Sequence, residues 1–174
     1  YGKNAVYDAG HHGNAILSKY PIARWDNEDI SMHGSERRGL LHCEIAVPGW
    51  PHSLHCINVH LGLLGHWRKK QISLMKDRIE KLVPANAPLV IAGDFNDWRR
   101  IASDALVNSL HVSEVFETTS GRPARSYPAI LPVLHLDRIY VRGFSIELAH
   151  AHHGHSWSRV SDHIALSARL IRKV

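Results

Sequence analysis

Leu89-Val90-Ile91-Ala92-Gly93-Asp94-Phe95-Asn96-Asp97-Trp98 decides how the rest of the chain is read. Its apolar, β-branched opening predicts a fully buried strand. A glycine followed by Asp-x-Asn-Asp ends that strand, and two readings of the ending compete. Asp and Asn cap their own backbone two residues on, so the tetrapeptide reads as an Asx-turn. Polar groups gathered where a buried strand stops also read as the edge of a site. The tetrapeptide alone leaves both open.

Composition narrows the setting. The 174 residues, 44% hydrophobic and 21% charged, suit one soluble domain spanning 1–174 with a core of its own. No apolar run is long enough for a transmembrane helix, which excludes channels and transporters built from such helices. Cys43 and Cys56 lie in separate strand-like runs and are too few for a disulfide framework. They read as buried free thiols in a reducing compartment, which predicts a cytoplasmic location. The net charge of +5 favours an anionic partner such as nucleic acid, an anionic lipid headgroup or a small phosphodiester.

Outward from the central strand the pattern is mostly β. Strands are expected at 4–7, 13–19, 22–30, 39–47 and 53–60, the last two forming an antiparallel hairpin across Pro48 to Pro51. Residues 65–83 have helical spacing, with Ile72, Met75, Ile79 and Leu82 on one stripe. Arg68, Lys69, Lys70, Lys76, Arg78 and Lys81 fall largely outside it, as a solvated face does. A short helix is expected at 99–110 and a surface loop at 121–132. Strands return at 136–141, 144–149 and 163–170. Strands with a few interleaved helices predict an α+β domain of layered sheets with helices outside.

Four further places put a polar residue in or beside an apolar strand. His60 follows Ile57-Asn58-Val59, Asp137 lies within Leu136-Asp137-Arg138-Ile139, Ser161-Asp162-His163 opens the last strand, and Asn14 follows Gly13. Singly, each has a plain structural explanation. Together they supply carboxylates for a hard cation and imidazoles for proton traffic or phosphate charge.

Gly93-Asp94-Phe95-Asn96, Leu136-Asp137-Arg138-Ile139 and Ser161-Asp162-His163 stand in the order found in the endonuclease/exonuclease/phosphatase superfamily. Gly13-Asn14-Ala15-Ile16-Leu17-Ser18 and Asn58-Val59-His60-Leu61 match two further blocks of it. The chain resembles small stand-alone bacterial members. The resemblance implies a deoxyribonuclease-like fold, a four-layer α/β/β/α sandwich, and divalent-metal-dependent phosphodiester hydrolysis with Mg²⁺ or Mn²⁺ as cofactor. By similarity, Asp94 holds or deprotonates the attacking water and Asn96 fixes that water or a phosphate oxygen. Asp162 is a metal ligand, with Asp94 beside it. His163 sits against the scissile phosphate, oriented by Asp137, and His60 donates to the phosphate or leaving group. Asn14 lines the same pocket, while Arg37 and Arg38 reach a substrate phosphate. The substrate stays open between nucleic acid and a phospholipid or small phosphodiester.

The pattern departs from the family in one respect. The family's principal metal ligand is a glutamate ending an early strand, and no such segment precedes Tyr1. The chain is therefore expected to begin inside the domain, roughly 60–80 residues in, with weakened metal binding and a sheet edge open to self-association. A non-catalytic nucleic-acid- or partner-binding domain with a degenerate site is the rival that this gap supports. The tract His150-Ala151-His152-His153-Gly154-His155 supports another, a His-rich zinc-binding protein. The tract itself is expected to form a loop at the rim of the active site.

Overall fold

A computed structural model describes residues 1–173, without the side chains of 101–103. Among the described residues ten strands run in chain order: β1 (Gly2–Tyr7), β2 (Gly10–Asn14), β3 (Ile22–Asp29), β4 (Gly39–Ile45), β5 (Leu54–His60), β6 (Leu89–Asp94), β7 (Ser113–Glu114), β8 (Asp137–Arg142), β9 (Phe144–His152) and β10 (Ala165–Arg172). Four helices interleave: α1 (Gly65–Leu82), α2 (Ile101–Leu110), α3 (Val115–Ser120) and α4 (His155–Ser158). Among the described residues no helix is long and apolar enough to cross a membrane.

A six-stranded sheet of order β3-β4-β5-β6-β8-β7 forms the centre, and β1–β2 and β9–β10 form separate antiparallel ribbons. Within the large sheet only β5 and β6 run parallel; the other pairs are antiparallel. Parallel neighbours need a long crossover, and α1 is that crossover. Alternation along each strand then sorts the side chains. Ile57, Val59, Leu89, Ile91 and Tyr140 face Ile72, Met75 and Ile79 of α1 and Leu106 and Leu110 of α2. On the opposite face Val90, Ile139 and Val141 pack against Ile146, Ala149, Leu166 and Leu170 of the β9–β10 ribbon. Leu41, Cys43 and Ile45 form a third cluster with Ile16 and Cys56.

This is a mixed α/β protein with a large central sheet. Helices, the six-stranded sheet and the ribbons account for three layers of the expected sandwich. The hairpin of β4 and β5 forms as expected, and Cys43 faces Cys56 across it as a free thiol. Several boundaries differ. The second strand ends at Asn14 rather than 19, because 15–18 leave the ladder to drop Ile16 into the third cluster. β9 runs to His152, since pairing with β10 continues as far as Ala165 opposite His152. The 121–132 segment is irregular yet not superficial, with Pro123, Ala124, Ser126 and Ala129 buried.

Two buried histidines have no part in the cleft described below. His42 and His55 lie on β4 and β5 with Nε2 of one 3.0 Å from Nδ1 of the other. Burial, then the neighbouring His55 and Arg78 charges against the opposing Asp26, pushes His42 down to about 4; burial also lowers His55. Both are neutral in folded and unfolded chains above the ordinary histidine pKa. As pH falls below 6.5 the unfolded chain takes up protons first, so stability drains away down to about pH 4. Urea unfolding should therefore show wild type losing about 3 kcal/mol more over that interval than the His42→Leu, His55→Leu double variant.

Candidate active site

One rung of the central sheet gathers three titratable side chains. His60 pairs in register with Asp94 across β5 and β6, and Asp94 pairs with Asp137 across β6 and β8. All three project from the ribbon face at strand ends. The close approach depends on Gly93, whose φ of +141° disfavours any side chain and whose Cβ would lie 2.0 Å from the Val59 carbonyl oxygen.

Asp94 resolves the ambiguity of its own tetrapeptide by serving both purposes. Its Oδ1 accepts the Asn96 N–H at 2.8 Å, an Asx-turn that holds Asn96 at φ +49°. Its Oδ2 lies 3.5 Å from His60 Nε2. Burial, then the neighbouring Asp137 carboxylate, pushes Asp94 up to about 6. The Asn96 amide donates to the Leu61 carbonyl at 2.9 Å, which ties the turn after β6 to the loop after β5.

His163 comes from the segment entering β10. Its Nδ1 lies 2.7 Å from Asp137 Oδ2, and this hydrogen bond raises its pKa against the opposing effect of burial. The pairing directs Nε2 elsewhere, and the Tyr127 ring stands 4.9 Å away, centroid to centroid. Asp137 is held in turn by Ser126, whose buried hydroxyl accepts the Asp137 N–H at 3.1 Å. His60 has the opposite environment. Partial burial, then the charges of Arg38, His12 and His163, brings it down to about 4, so it is neutral at neutral pH.

These groups line one cavity of about 730 Å³, together with Arg38, Leu63, Asn96, Trp98, Leu134, Leu136, Ser161 and Asp162. Of the residues expected in the site, His60, Asp94, Asn96, Asp137, Asp162, His163 and Arg38 meet here. Arg37 does not. It lies 3.6 Å from Asp29 and borders the adjoining groove with Tyr7, His12 and Trp67. Asn14 does not line the cavity either. Its buried amide donates to the carbonyls of Gly39 (2.7 Å) and Asn58 (3.1 Å), which pins β2 across β4 and β5. The 150–155 tract also misses the rim: His150 and His152 lie on β9, their rings 4.7 Å apart, with Trp157 against His152.

The helix face expected to be solvated contributes a buried support. Arg68, 4% exposed, donates to the Gly62 and Leu63 carbonyls and lies 5.0 Å from the Trp98 ring centroid. Gln71 accepts the Gly62 N–H and donates to the Ile30 carbonyl. Arg78 pairs with Asp26 and Glu28. Arg68, Gln71, Ser126, Tyr127 and Trp98 thus shape a cleft that strand-end polarity could not point to; only the Arg and Gln flanking an apolar stripe carried a trace of it.

As a cation site, the cleft offers oxygen donors from Asp94, Asp162 and Asn96, with the Asp94 carboxyl raised by burial and then by the Asp137 carboxylate. That donor set fits a hard divalent ion, which is held by one or two carboxylates and otherwise by water and substrate oxygens. No cluster of three or more His, Cys, Asp or Glu side chains able to hold a metal occurs among the described residues. A closed zinc cage, including one made by the histidine tract, is therefore not formed there.

Residues 1–163 match the model of the Endonuclease/Exonuclease/phosphatase family. The chain is 44% identical over 170 residues to the uncharacterized protein YbhP of Escherichia coli strain K12, covering 98% of this chain and 67% of that one. A functionally unknown conserved protein from Enterococcus faecalis V583 superposes with TM-score 0.74 at 17% identity, covering 89% of this chain and 68% of its own. The mannosyl-6-phosphatase Bt3783 of Bacteroides thetaiotaomicron VPI-5482 does so with TM-score 0.68 at 16% identity, covering 88% and 67%. At those identities the superpositions speak to fold.

The position of Asn14 makes a direct test. Asn14→Ala removes both hydrogen bonds and strands two carbonyls, so thermal or urea unfolding should show a loss of about 1–3 kcal/mol. The occupancy of the cleft by a phosphate analogue should be unchanged at temperatures where the variant is folded.

Proposed function

The chain belongs to the endonuclease/exonuclease/phosphatase family, and on that premise we propose that it hydrolyses a phosphodiester in the cleft formed by His60, Asp94, Asp137 and His163. The observation that carries this reading is the convergence of two unlike pairs in one cavity. His60 and Asp94 are 3.5 Å apart and His163 and Asp137 are 2.7 Å apart, with opposite displacements of the two imidazoles.

Hydrolysis needs a water brought in line with the leaving oxygen, a base for its proton, and positive charge on the phosphate. Asp94, whose Oδ2 lies beside His60 in the cavity lining, accepts the proton of the attacking water as the general base. Asn96, fixed by its bond to Leu61, holds that water or a phosphate oxygen. His163, kept basic and oriented by Asp137, donates to a non-bridging phosphate oxygen, an arrangement in which the carboxylate selects the tautomer. His60 is neutral and contributes a hydrogen bond toward the leaving oxygen rather than a full proton. Arg38 brings a fixed positive charge to the same wall, with its Nη2 anchored on Glu36 at 3.0 Å. Asp162 and Asp94 are the residues that would hold Mg²⁺ or Mn²⁺. The bound ion would supply charge neutralisation at the phosphate.

Cleavage of bis-p-nitrophenyl phosphate in Mg²⁺ checks this assignment. Asp94→Asn and His163→Gln should each lower kcat/KM by about 100-fold or more. Asp137→Asn should give a smaller loss, because His163 stays in place but is misoriented. Chelation should abolish turnover and added Mg²⁺ restore it. Full activity with Asp94 and His163 both replaced would remove the mechanism.

A further inference from the structure

Beside the cleft stands a projection whose composition hydrolysis alone does not require. After Tyr127 the chain doubles back, with the Val133 and Leu134 N–H groups bonded to the Tyr127 carbonyl at 2.9 and 2.8 Å. Its tip presents Ile130 at 87% exposure and Leu131 at 70%, with Val133 also exposed. The Ala129 N–H bonds to the Asp162 carbonyl at 2.6 Å, fastening the projection to the segment that carries His163. Two residues before Asp162, Val160 is 82% exposed. On the inner side Leu134 lines the cavity, as do the exposed Leu63 and Trp98.

A charged floor thus opens through an apolar mouth. Scattered aliphatic side chains on a surface are ordinary, but a grouped set beside a polar cleft marks an interaction site. Its chemistry is selective. The exposed group itself, Ile130, Leu131, Val133 and Val160, is aliphatic and offers no ring on which a base could stack; the rings of Trp98 and Tyr127 belong to the cavity lining rather than to the projection's tip. Exposed Arg125 and Arg159 lie next to the same two segments, and the whole chain carries a net charge of +5. Aliphatic groups flanked by cations match the boundary between acyl chains and anionic headgroups.

We propose that this projection docks the protein onto an anionic lipid surface, so that the phosphodiester delivered to the cleft is a lipid headgroup at that surface. The inference rests on the phosphodiesterase reading for its second half. The docking half stands on the projection alone.

Docking is tested by co-sedimentation of the full chain carrying Asp94→Asn, in chelator, with vesicles of phosphatidylcholine alone or of phosphatidylcholine with phosphatidylglycerol. Binding is expected to the phosphatidylglycerol vesicles and to weaken as salt rises. Adding Ile130→Ser, Leu131→Ser and Val160→Ser should lower the partition coefficient at least about tenfold. The melting curve should not move, since the three side chains are exposed. Absence of vesicle binding, or undiminished binding by the triple variant, overturns the proposal. So does finding that the three substitutions instead abolish binding of a single-stranded oligonucleotide, or dissolve a dimer in the absence of vesicles. Because this assay uses a silenced, metal-free protein, its failure is separate from failure to cleave soluble bis-p-nitrophenyl phosphate, which bears on the catalytic reading.

Discussion

The register between β5 and β6 is the constraint on which the rest of the molecule depends. Side chains alternate across a strand, so the alignment that sends Ile57, Val59, Leu89 and Ile91 into the core beneath α1 also sends His60 and Asp94 to the opposite face, side by side. A slip of one residue would put Asp94 against the helix and Ile91 on the other face, with a loss spread over the whole core. The apolar contacts therefore set the face and level of the polar rung, and its own hydrogen bonds then orient the side chains. Asp137 joins by the same logic, because Tyr140 and Val141 on β8 must take opposite faces.

Strand ends leave backbone groups that need partners, and two buried side chains of α1 supply several. Gln71 bridges the Gly62 N–H and the Ile30 carbonyl, while Arg68 gathers the Gly62 and Leu63 carbonyls. The crossover that parallel pairing demands thus also fixes the loop bordering the cleft. Behind the other wall, Ser126 holds Asp137 through its backbone, and Asp137 holds His163. The groups lining the cleft are thus backed by Arg68, Gln71 and Ser126, which are not part of its lining.

That division explains what could be read from the sequence. Asp94, His60, Asp137 and His163 were legible because each interrupts an apolar alternation at a place where a polar side chain needs a reason. Asn14 fits the same pattern, yet it lies outside the cavity lining, with its Nδ2 donating to two carbonyls from β4 and β5. Arg68 and Gln71 were illegible because a long polar residue flanking an apolar helical stripe normally reaches water; here it meets the underside of a loop. The Gly93-Asp94-Phe95-Asn96 ambiguity dissolves, because the Asx-turn uses one carboxylate oxygen and leaves the other facing His60. The strands were placed well wherever alternation was regular and badly at 13–19 and 144–149, where pairing with a neighbour rather than local pattern set the end.

The electrostatics of the cleft also bear on which phosphate it suits. Asp94 and Asp137 occupy neighbouring positions on adjacent strands, and their repulsion adds to burial in raising the Asp94 carboxyl. Asp162 adds a third carboxylate to the lining, against the fixed charge of Arg38 and the His163 imidazole, whose pKa the hydrogen bond to Asp137 raises. An incoming diester brings one negative charge, whereas a monoester near neutral pH brings up to two, and each additional charge meets the same three carboxylates at short range. A diester therefore needs less added positive charge than a monoester to enter. It also carries two organic substituents, and on the proposed reading one would leave past His60 while the other would lie along the wall formed by Leu63, Trp98 and Leu134. On the proposed reading, an acidic floor set by the strand register and an apolar mouth made by Leu63, Trp98 and Leu134 from the adjoining loops would together suit a singly charged phosphate with an apolar substituent.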